Sequence, residues 1–413
     1  MKNDVLIIGG GAAGLCAAVA VKRMAPSLSV RLLEALPRVG KKLAATGNGR
    51  CNITNKKIHI GRYHGSDPQF CAYALDRFGF EAAESFFAEI GVPFAFEGDK
   101  AYPASFQAAS VVDCLRFAAE EAGVIICTDT RVDNIQISRG LFKIIAGNMS
   151  FLAENVIIAA GLLSGGERLG SDGQMLALLK KAGFKTVNTR PAIVQLKTPP
   201  ETVRQLKGIK VSAEVSLKSG GRLLRREYGE VLFCDYGLSG PPVLQVSGAA
   251  AAAQSPVISL DLMRDKSLDA LTAELCRRIS LLSGRGADEF FTGMMNKRLG
   301  QVIIKSAGYK LNTPVSAFDG KAAQKLAALI KNMSFEVTGN TGFINSQVTS
   351  GGLDTAQFDP DTMMSRDYRR LYAIGEILDI DGDCGGLNLQ WAWSSALCAA
   401  AAIAKESEYA DNK

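Results

Sequence analysis

The hydrophobic pattern of the chain changes period several times, and the changes mark out its parts. Val5–Ile8 is an unbroken apolar run closed by Gly9, as expected of a strand buried on both faces. Good helix formers follow in LCAAVAVKRM, and Val30–Leu33 reads as a second buried strand. Asn155–Gly161 is a further core strand ending in small residues, and MLALLKKAGF after Gly173 is an amphipathic helix ending near Gly183. From Arg190 to about Leu262 the texture alternates. Val211–Leu217, Arg222–Glu227 and Val231–Cys234 predict short antiparallel strands around turns at Gly220-Gly221 and Gly229. Asp265 to about Met333 is helical, with LDALTAELCRRISLL and GKAAQKLAALIKN as amphipathic pieces. Phe335–Val337 and Phe343–Val348 read as strands again, as does Leu371–Gly375. A last helix is expected from about Leu389 through WAWSSALCAAAAIAK, with Asn388 as its N-cap.

This order predicts an α/β fold in five stretches. A nucleotide-binding domain occupies 1–188 and 348–413, a β-rich insertion 189–264 and 334–347, and a helical subdomain 265–333. No internal repeat or low-complexity linker interrupts it.

The first strand leads into Gly9-x-Gly11-x-x-Gly14 and then directly into a helix. Gly9 allows the tight turn, Gly11 lets backbone approach a pyrophosphate, and Gly14 lets helix and strand pack closely, with the helix N-terminus facing the anion. Ala12 and Ala13 lie in the same turn. Glu34 ends the second strand, about 20 residues beyond Gly14, where a carboxylate accepts from the ribose hydroxyls of an adenosine. The cofactor is then NAD or FAD. The next loop, ALPRVGKKLAATGNGRCNITN, carries Gly40, Gly47 and Gly49 together with Lys41, Lys42 and Arg50. Several glycines and positive charges suit a second stretch of backbone along the pyrophosphate and flavin of FAD, which a simple NAD enzyme does not need. The C-terminal run GEILDIDGDCGGLNLQWAWSS then supplies a Gly-rich turn before a helix whose positive end would face the flavin N1–C2=O edge and raise its potential.

Composition narrows the picture in a few places. The 413 residues are 47% hydrophobic, enough for two or three domains. No secretory n-region precedes the first strand and no apolar run approaches the ~18 residues of a membrane span, so a cytoplasmic protein without a membrane partner is expected. A net charge of +6 from 47 Lys and Arg against 41 Asp and Glu gives nucleic-acid binding little support. Nine cysteines without a CxxC speak against a disulfide scaffold, a zinc ribbon and a thioredoxin-type pair. The two histidines, His59 and His64, exclude a His-rich metal centre; either is a candidate to touch substrate, with a surface position as the simpler reading. Cys51 and Cys384 lie in the expected flavin loops, where a redox role would need a low-pKa thiolate and a packing role would not. A second GxGxxG is absent. The flavin is therefore reduced by an organic substrate directly, or by NAD(P)H docking transiently without its own domain.

From TGNGRCN onward the sequence resembles the bacterial aminoacetone oxidase-like flavoproteins, which have a glutathione-reductase-type FAD fold and include a flavoprotein of a bile-acid pathway. The resemblance covers nearly the whole chain and is carried by TGNGRCNITN, YPASFQAASVVD, VIIAAG with GSDG, LFCDYGLSGPPVLQVSG, VTSGGLDTAQFDPDTMMS and the C-terminal glycine run. The chain departs from that pattern at Cys234-Asp235, where the family usually has Thr-His. It departs again at Leu387, where the family has Tyr, and after Gly161, where the family has Pro. The resemblance implies that Gly375 and Glu376 lie beside the ribityl chain and pyrophosphate.

The fold expected is thus a Rossmann-like FAD-binding domain of glutathione-reductase type with an inserted β-rich domain and a helical subdomain. Cofactor contacts are expected from the first loop (Gly9, Gly11, Ala12, Ala13, Gly14) and from Glu34 and Ala35. The second loop adds Lys41, Lys42, Thr46, Gly47, Asn48, Gly49, Arg50, Cys51 and Asn52. Val132 is a further expected contact, Ala160 and Gly161 are expected on the adenosine side, and Gly375, Glu376, Gly386, Asn388, Leu389 and Gln390 at the C-terminal end. The activity expected is hydride transfer between flavin N5 and a small organic substrate, as an amine oxidase or as an NAD(P)H-driven reductase of an enone. The alternative is a structural FAD in a protein serving RNA modification or a protein partner.

Overall fold

The computed structural model describes residues 2–138 and 141–411, which separate into two compact units, Met1–Pro191 with Ser346–Lys413, and Ala192–Asn345. In the first, β1 (Lys2–Ile8) runs into α1 (Ala12–Met24) and on to β2 (Val30–Leu33). Helix α2 (Ala108–Glu121) packs on α1, and β3 (Ile125–Cys127) follows. Next come β4 (Asn134–Ser138), β5 (Leu141–Ala146) and β6 (Met149–Ile158). The sheet order is β3-β2-β1-β6-β5-β4. The first four strands are parallel, and β5 and β4 form an antiparallel flank. Val5, Leu6 and Ile7 are fully buried, as covering on both faces requires. Strand β6 begins six residues before the expected Asn155, because its first half pairs with β5 and only its second half lies in the parallel core.

The second unit is built on β7 (Lys210–Ser219) and β8 (Arg222–Phe233), joined at Gly220-Gly221. Both glycines have positive φ (54° and 79°), the geometry of a two-residue hairpin turn. Gly229 is not a turn, contrary to expectation: β8 runs straight through it. A Cβ there would lie 3.2 Å from Cδ of Pro242, at the start of α3 (Pro241–Ala252). The glycine serves close helix–sheet packing. Strand β9 (Val257–Asp261) pairs with β7. Helices α4 (Leu268–Leu281), α5 (Lys297–Ser306) and α6 (Gly320–Lys331) share one core with the sheet. Strand β10 (Met333–Glu336) closes that edge against β9. Helix α5 turns an apolar face (Leu299, Val302, Ile303) into that core. Phe343–Asn345, expected as strand, is a 3₁₀ turn; the strand of that region is Val348–Leu353.

The chain then returns to the first unit. β11 (Leu371–Ala373) pairs in parallel with Val156–Ile158 of β6, and α7 (Leu387–Asp411) packs along α1. Trp391 and Trp393, both buried, tie α7 down: their indole N–H groups donate to the carbonyls of Gly375 (3.0 Å) and Ile53 (2.9 Å).

Candidate functional site

The glycines of the first loop have three different physical reasons. Gly9 has φ +107° and passes so close to β6 that a Cβ would stand 2.6 Å from the Ala159 carbonyl oxygen. At Gly14 a Cβ would stand 1.9 Å from the Gly9 carbonyl oxygen, so α1 can sit on β1 only with glycine there. At Gly11 a Cβ would meet nothing within 4 Å. Gly11 is also the residue before α1, with no side-chain cap and no acidic residue in the first turn, so the amides of Ala12, Ala13 and Gly14 open the helix without a protein anion.

Glu34 braces this loop. Its Oε2 accepts from the Gly10 amide (2.7 Å) and its Oε1 from the Leu36 amide (2.8 Å). Burial pushes the carboxyl up; the amides of Leu36, Gly10 and Ala35 and the charge of Arg131 pull it back in part. Each oxygen keeps a lone pair for a ribose hydroxyl. Val132 is buried beside Arg131, which is paired with Asp172 and donates to Gln174 (2.7 Å), tying the GSDG turn to this side. Gly161, at φ +64°, has no neighbour within 4 Å of a Cβ position, and Ala160 before it is half-buried.

The second loop folds as a short helix, Lys41–Ala44, and a 3₁₀ turn, Thr46–Gly49, in which Gly47 and Asn48 have positive φ. Lys42 and Arg50, expected to lend charge to the cofactor, direct it to protein carboxylates. Lys42 Nζ meets Glu376 Oε2 at 2.5 Å, while Glu376 Oε1 accepts from the Thr349 amide (2.9 Å). Arg50 pairs with Glu97 and lies over the rings of Tyr102 (4.6 Å) and Phe106 (4.7 Å). The physical reason is a carboxylate within reach of each cation: Glu376 is half-buried and Glu97 is exposed. Both cations fix the loop; Lys41 and Asn48 remain exposed.

At the C-terminal end, Gly375 (φ +69°) lies against Ala13, with its amide held by Ser395 (2.9 Å). Asn388 does not cap α7, which starts one residue before it. Its Oδ1 accepts from the Gly382 amide (2.8 Å) and its Nδ2 donates to the Gly382 carbonyl (2.7 Å), so it grips the preceding loop. Gln390 is fully buried, donates to the Phe78 carbonyl (2.9 Å) and accepts from Thr54; its side chain is a core contact. Leu389 is half-buried against the core. At Gly386 a Cβ would stand 2.8 Å from Asn52 Oδ1 and 2.7 Å from the Thr54 carbonyl oxygen, which brings the second loop and the C-terminal loop together.

Two observations test whether FAD fits. Asn52 Oδ1 and Asp381 Oδ1 are buried acceptors with no protein donor, and the Cβ directions at Gly11, Gly49 and Gly161 are open. A long ligand rich in hydroxyls and N–H groups, laid from the α1 N-terminus to the α7 N-terminus, meets both requirements. Gly11, Glu34, Gly161 and Asn52 are the residues that would hold it.

The thiols are not poised for redox work. Burial pushes Cys51 up to about 12, against the lowering effect of Thr46, and burial also raises Cys384 despite Lys100 and Arg62. Among the described residues no group of His, Cys, Asp and Glu is arranged to hold a metal, and no helix is long and apolar enough to cross a membrane.

The chain order hides one cluster completely. Tyr63–His64 forms a two-residue ladder with Asp381–Gly382, which gathers Asp379, Asp381 and Asp383, all buried, beside His64 and Arg62. Burial raises Asp381 to about 6; Ser350 and His64 pull it down, while Asp379 and Glu376 push it up. The folded carboxyl then binds its proton more tightly than the unfolded one, so stability is full below the unfolded value near 4 and is lost as pH rises through about 6. Asp381→Asn is expected to be nearly neutral at pH 3 and to stabilise by up to about 3 kcal/mol at pH 8. Urea unfolding at the two pH values measures it; a pH-independent difference would contradict the buried titration.

The sequence matches the family described as HI0933-like protein Rossmann domain over residues 3–402. It is similar to the 3-dehydro-bile acid delta(4,6)-reductase of Clostridium scindens, with 34% identity over 98% of this chain and 99% of that one. It is also similar to the ribosomal RNA dihydrouridine synthase of Escherichia coli, with 28% identity over 98% of this chain and 99% of that one. Among solved structures it shares its fold with the 3-ketosteroid delta1-dehydrogenase of Sterolibacterium denitrificans (TM-score 0.53, 12% identity, 98% of this chain and 100% of that one). A nucleotide loop, two open glycine cradles and two orphaned acceptors, joined to similarity along nearly the whole chain, lead to one conclusion: the chain belongs to the HI0933-like family and is an FAD-dependent oxidoreductase.

Proposed function

We propose that the protein reduces a carbon–carbon double bond conjugated to a carbonyl in a small ring-bearing substrate. One observation carries this reading. The names of the two relatives, a delta(4,6)-reductase of a 3-dehydro-bile acid and a dihydrouridine synthase, both describe saturation of a ring C=C conjugated to a C=O. A hydride acceptor of that kind is the chemistry the two relatives share, whatever the size of the molecule that bears it. The substrate proposed is a free cyclic enone, because the relative acting on a bile acid has the higher identity and the charge excess of +6 is small. The amine-oxidising direction implied by the resemblance to aminoacetone oxidase-like flavoproteins is the competing outcome.

Bound FAD supplies a hydride from N5. The N-terminal turn of α7 carries no acidic residue, so its amides would favour negative charge on the flavin N1–C2=O edge and raise the potential. The donor proposed is NAD(P)H docking transiently, since the chain has a single GxGxxG. The cytoplasmic setting proposed rests on the nine cysteines, all free thiols in the structure.

The test is the anaerobic visible spectrum of the FAD-loaded protein. Bleaching of the flavin band by NADH or NADPH, with recovery on adding 2-cyclohexenone or 4-androstene-3,17-dione, is expected. Bleaching by aminoacetone without nicotinamide would overturn the reductase reading, and recovery only with uridine-containing RNA would transfer it to a nucleic-acid substrate.

A further inference from the structure

We infer that the second unit carries a binding site for the phosphate group of a small molecule, on the outer face of its sheet. Strands β7, β9 and β10 lie side by side, and alternate residues of each face away from the core. Leu217, Ile258, Leu260 and Phe335 fill the inner face and are buried. The register puts Ser216, Ser259 and Ser334 in one row of the outer face, and Lys218, Val257 and Glu336 in the next. A cavity of about 270 Å³ opens here, lined by Lys218, Ser259, Ser334 and Asn332 together with the Gly220-Gly221 turn.

Ser259 points to a ligand. It is only 6% exposed, although it lies on the face turned away from the core, and its hydroxyl bonds to no described residue. A buried hydroxyl open to a cavity is satisfied from that cavity. Lys218 is half-buried and forms no ion pair among the described residues. The carboxylates along this face are engaged elsewhere: Asp261 pairs with Lys331 (2.6 Å) and Glu214 with Arg226 (3.2 Å). Glu336 is exposed on the edge strand and outside the lining. The Ser334 hydroxyl donates to Asn332 Oδ1 (3.2 Å), which leaves the Asn332 amide nitrogen as a donor. At Gly220 and Gly221 a Cβ would meet nothing within 4 Å, so the turn leaves room beside the lysine. The lining thus offers an ammonium with hydroxyl and amide donors, and no carboxylate. That set suits an anion. A lysine serves phosphate as a point charge, whereas a planar carboxylate is matched by the fork of an arginine. The volume falls just below the ~300–1,000 Å³ of pockets that enclose small ligands, which leaves space for a short organic group on the phosphate.

The test uses the full-length, FAD-loaded protein, so that the nucleotide loop is already filled. ¹H–¹⁵N spectra are followed while inorganic phosphate, glycerol 3-phosphate or acetate is added at constant ionic strength. Saturable shifts of the Gly220, Gly221 and Ser259 amides are expected with both phosphates, at lower concentration with glycerol 3-phosphate, and none with acetate. Lys218→Gln is expected to weaken binding about tenfold or more, and Ser259→Ala about threefold. Both variants are expected to keep the native Tm, since neither side chain bonds to a described residue. Native affinity in Lys218→Gln would mean an adventitious ion only and overturns the site. Equal shifts with acetate overturn the preference for phosphate, and exclusion of glycerol 3-phosphate overturns the organic ligand. A native protein whose three amides stay unmoved by either phosphate overturns the whole inference, and the reductase reading stands or falls separately on the flavin spectrum.

Discussion

Gly14→Ala is expected to give a protein that emerges from gel filtration without flavin. The methyl group would stand 1.9 Å from the Gly9 carbonyl oxygen, and both atoms are backbone-fixed: Gly9 by β1 and its closeness to Ala159, Gly14 by the first turn of α1. Helix α1 must then slide away from β1, and its amides leave the place where a pyrophosphate would sit. Overpacking of this kind costs about 1–3 kcal/mol, which lowers Tm by roughly 3–10 °C in a unit of this size. Gly11→Ala is the control. Its methyl meets no protein atom within 4 Å, so the FAD-free protein should keep its Tm while FAD affinity falls. The ratio of flavin to protein absorbance, with a thermal melt of each apoprotein, reads both. A Gly14→Ala protein with full flavin and native Tm would mean that the close approach does not exist in solution.

The second large effect is expected at Trp393. Its indole is fully buried, lies edge-on to Phe87 with ring centroids 5.1 Å apart, and donates to the Ile53 carbonyl (2.9 Å). Trp393→Ala would empty that volume and leave the carbonyl without its donor. A loss of about 3–5 kcal/mol is expected from the cavity, with about 1 kcal/mol more for the hydrogen bond. Trp393→Phe refills most of the space and should recover the larger part. Urea midpoints of the three proteins measure it. Because Ile53 follows Asn52, the alanine variant should also loosen the second loop and weaken FAD binding, and a variant that loses stability with native FAD affinity would uncouple the two.

The parallel core was legible because its signal is local. A four-residue apolar run, a glycine triplet and a helix sit next to one another in the chain, and each glycine has a reason that spacing alone reveals. The far end of the site was only half legible. Gly375 and Gly386 announce a turn, but Asn388 looks like an N-cap and instead grips Gly382, because a helix start shifted by one residue turns a cap into a clamp. Lys42 and Glu376 are 334 residues apart, and His64 and Asp383 are 319 apart. A two-residue ladder such as Tyr63–His64 with Asp381–Gly382 is too short to leave any period, so pairings of this kind follow only from tertiary register. Gly229 misled for the opposite reason. A glycine in an alternating segment marks a turn or a close approach equally well, and only the proline above it decides.

The position of β11 bears on how the protein is made. The strand that covers the free edge of Val156–Ile158 begins at Leu371, so about 200 residues are translated in between. At ~5–20 residues per second that is about 10–40 s. During this interval the nascent chain carries its most apolar parallel edge uncovered, with α1 not yet backed by α7. The nucleotide loop leaves the ribosome first and its lasting closure comes last. Stable flavin retention therefore becomes a property of the finished chain alone, and a polypeptide truncated before Leu371 should be a target for chaperones and proteases.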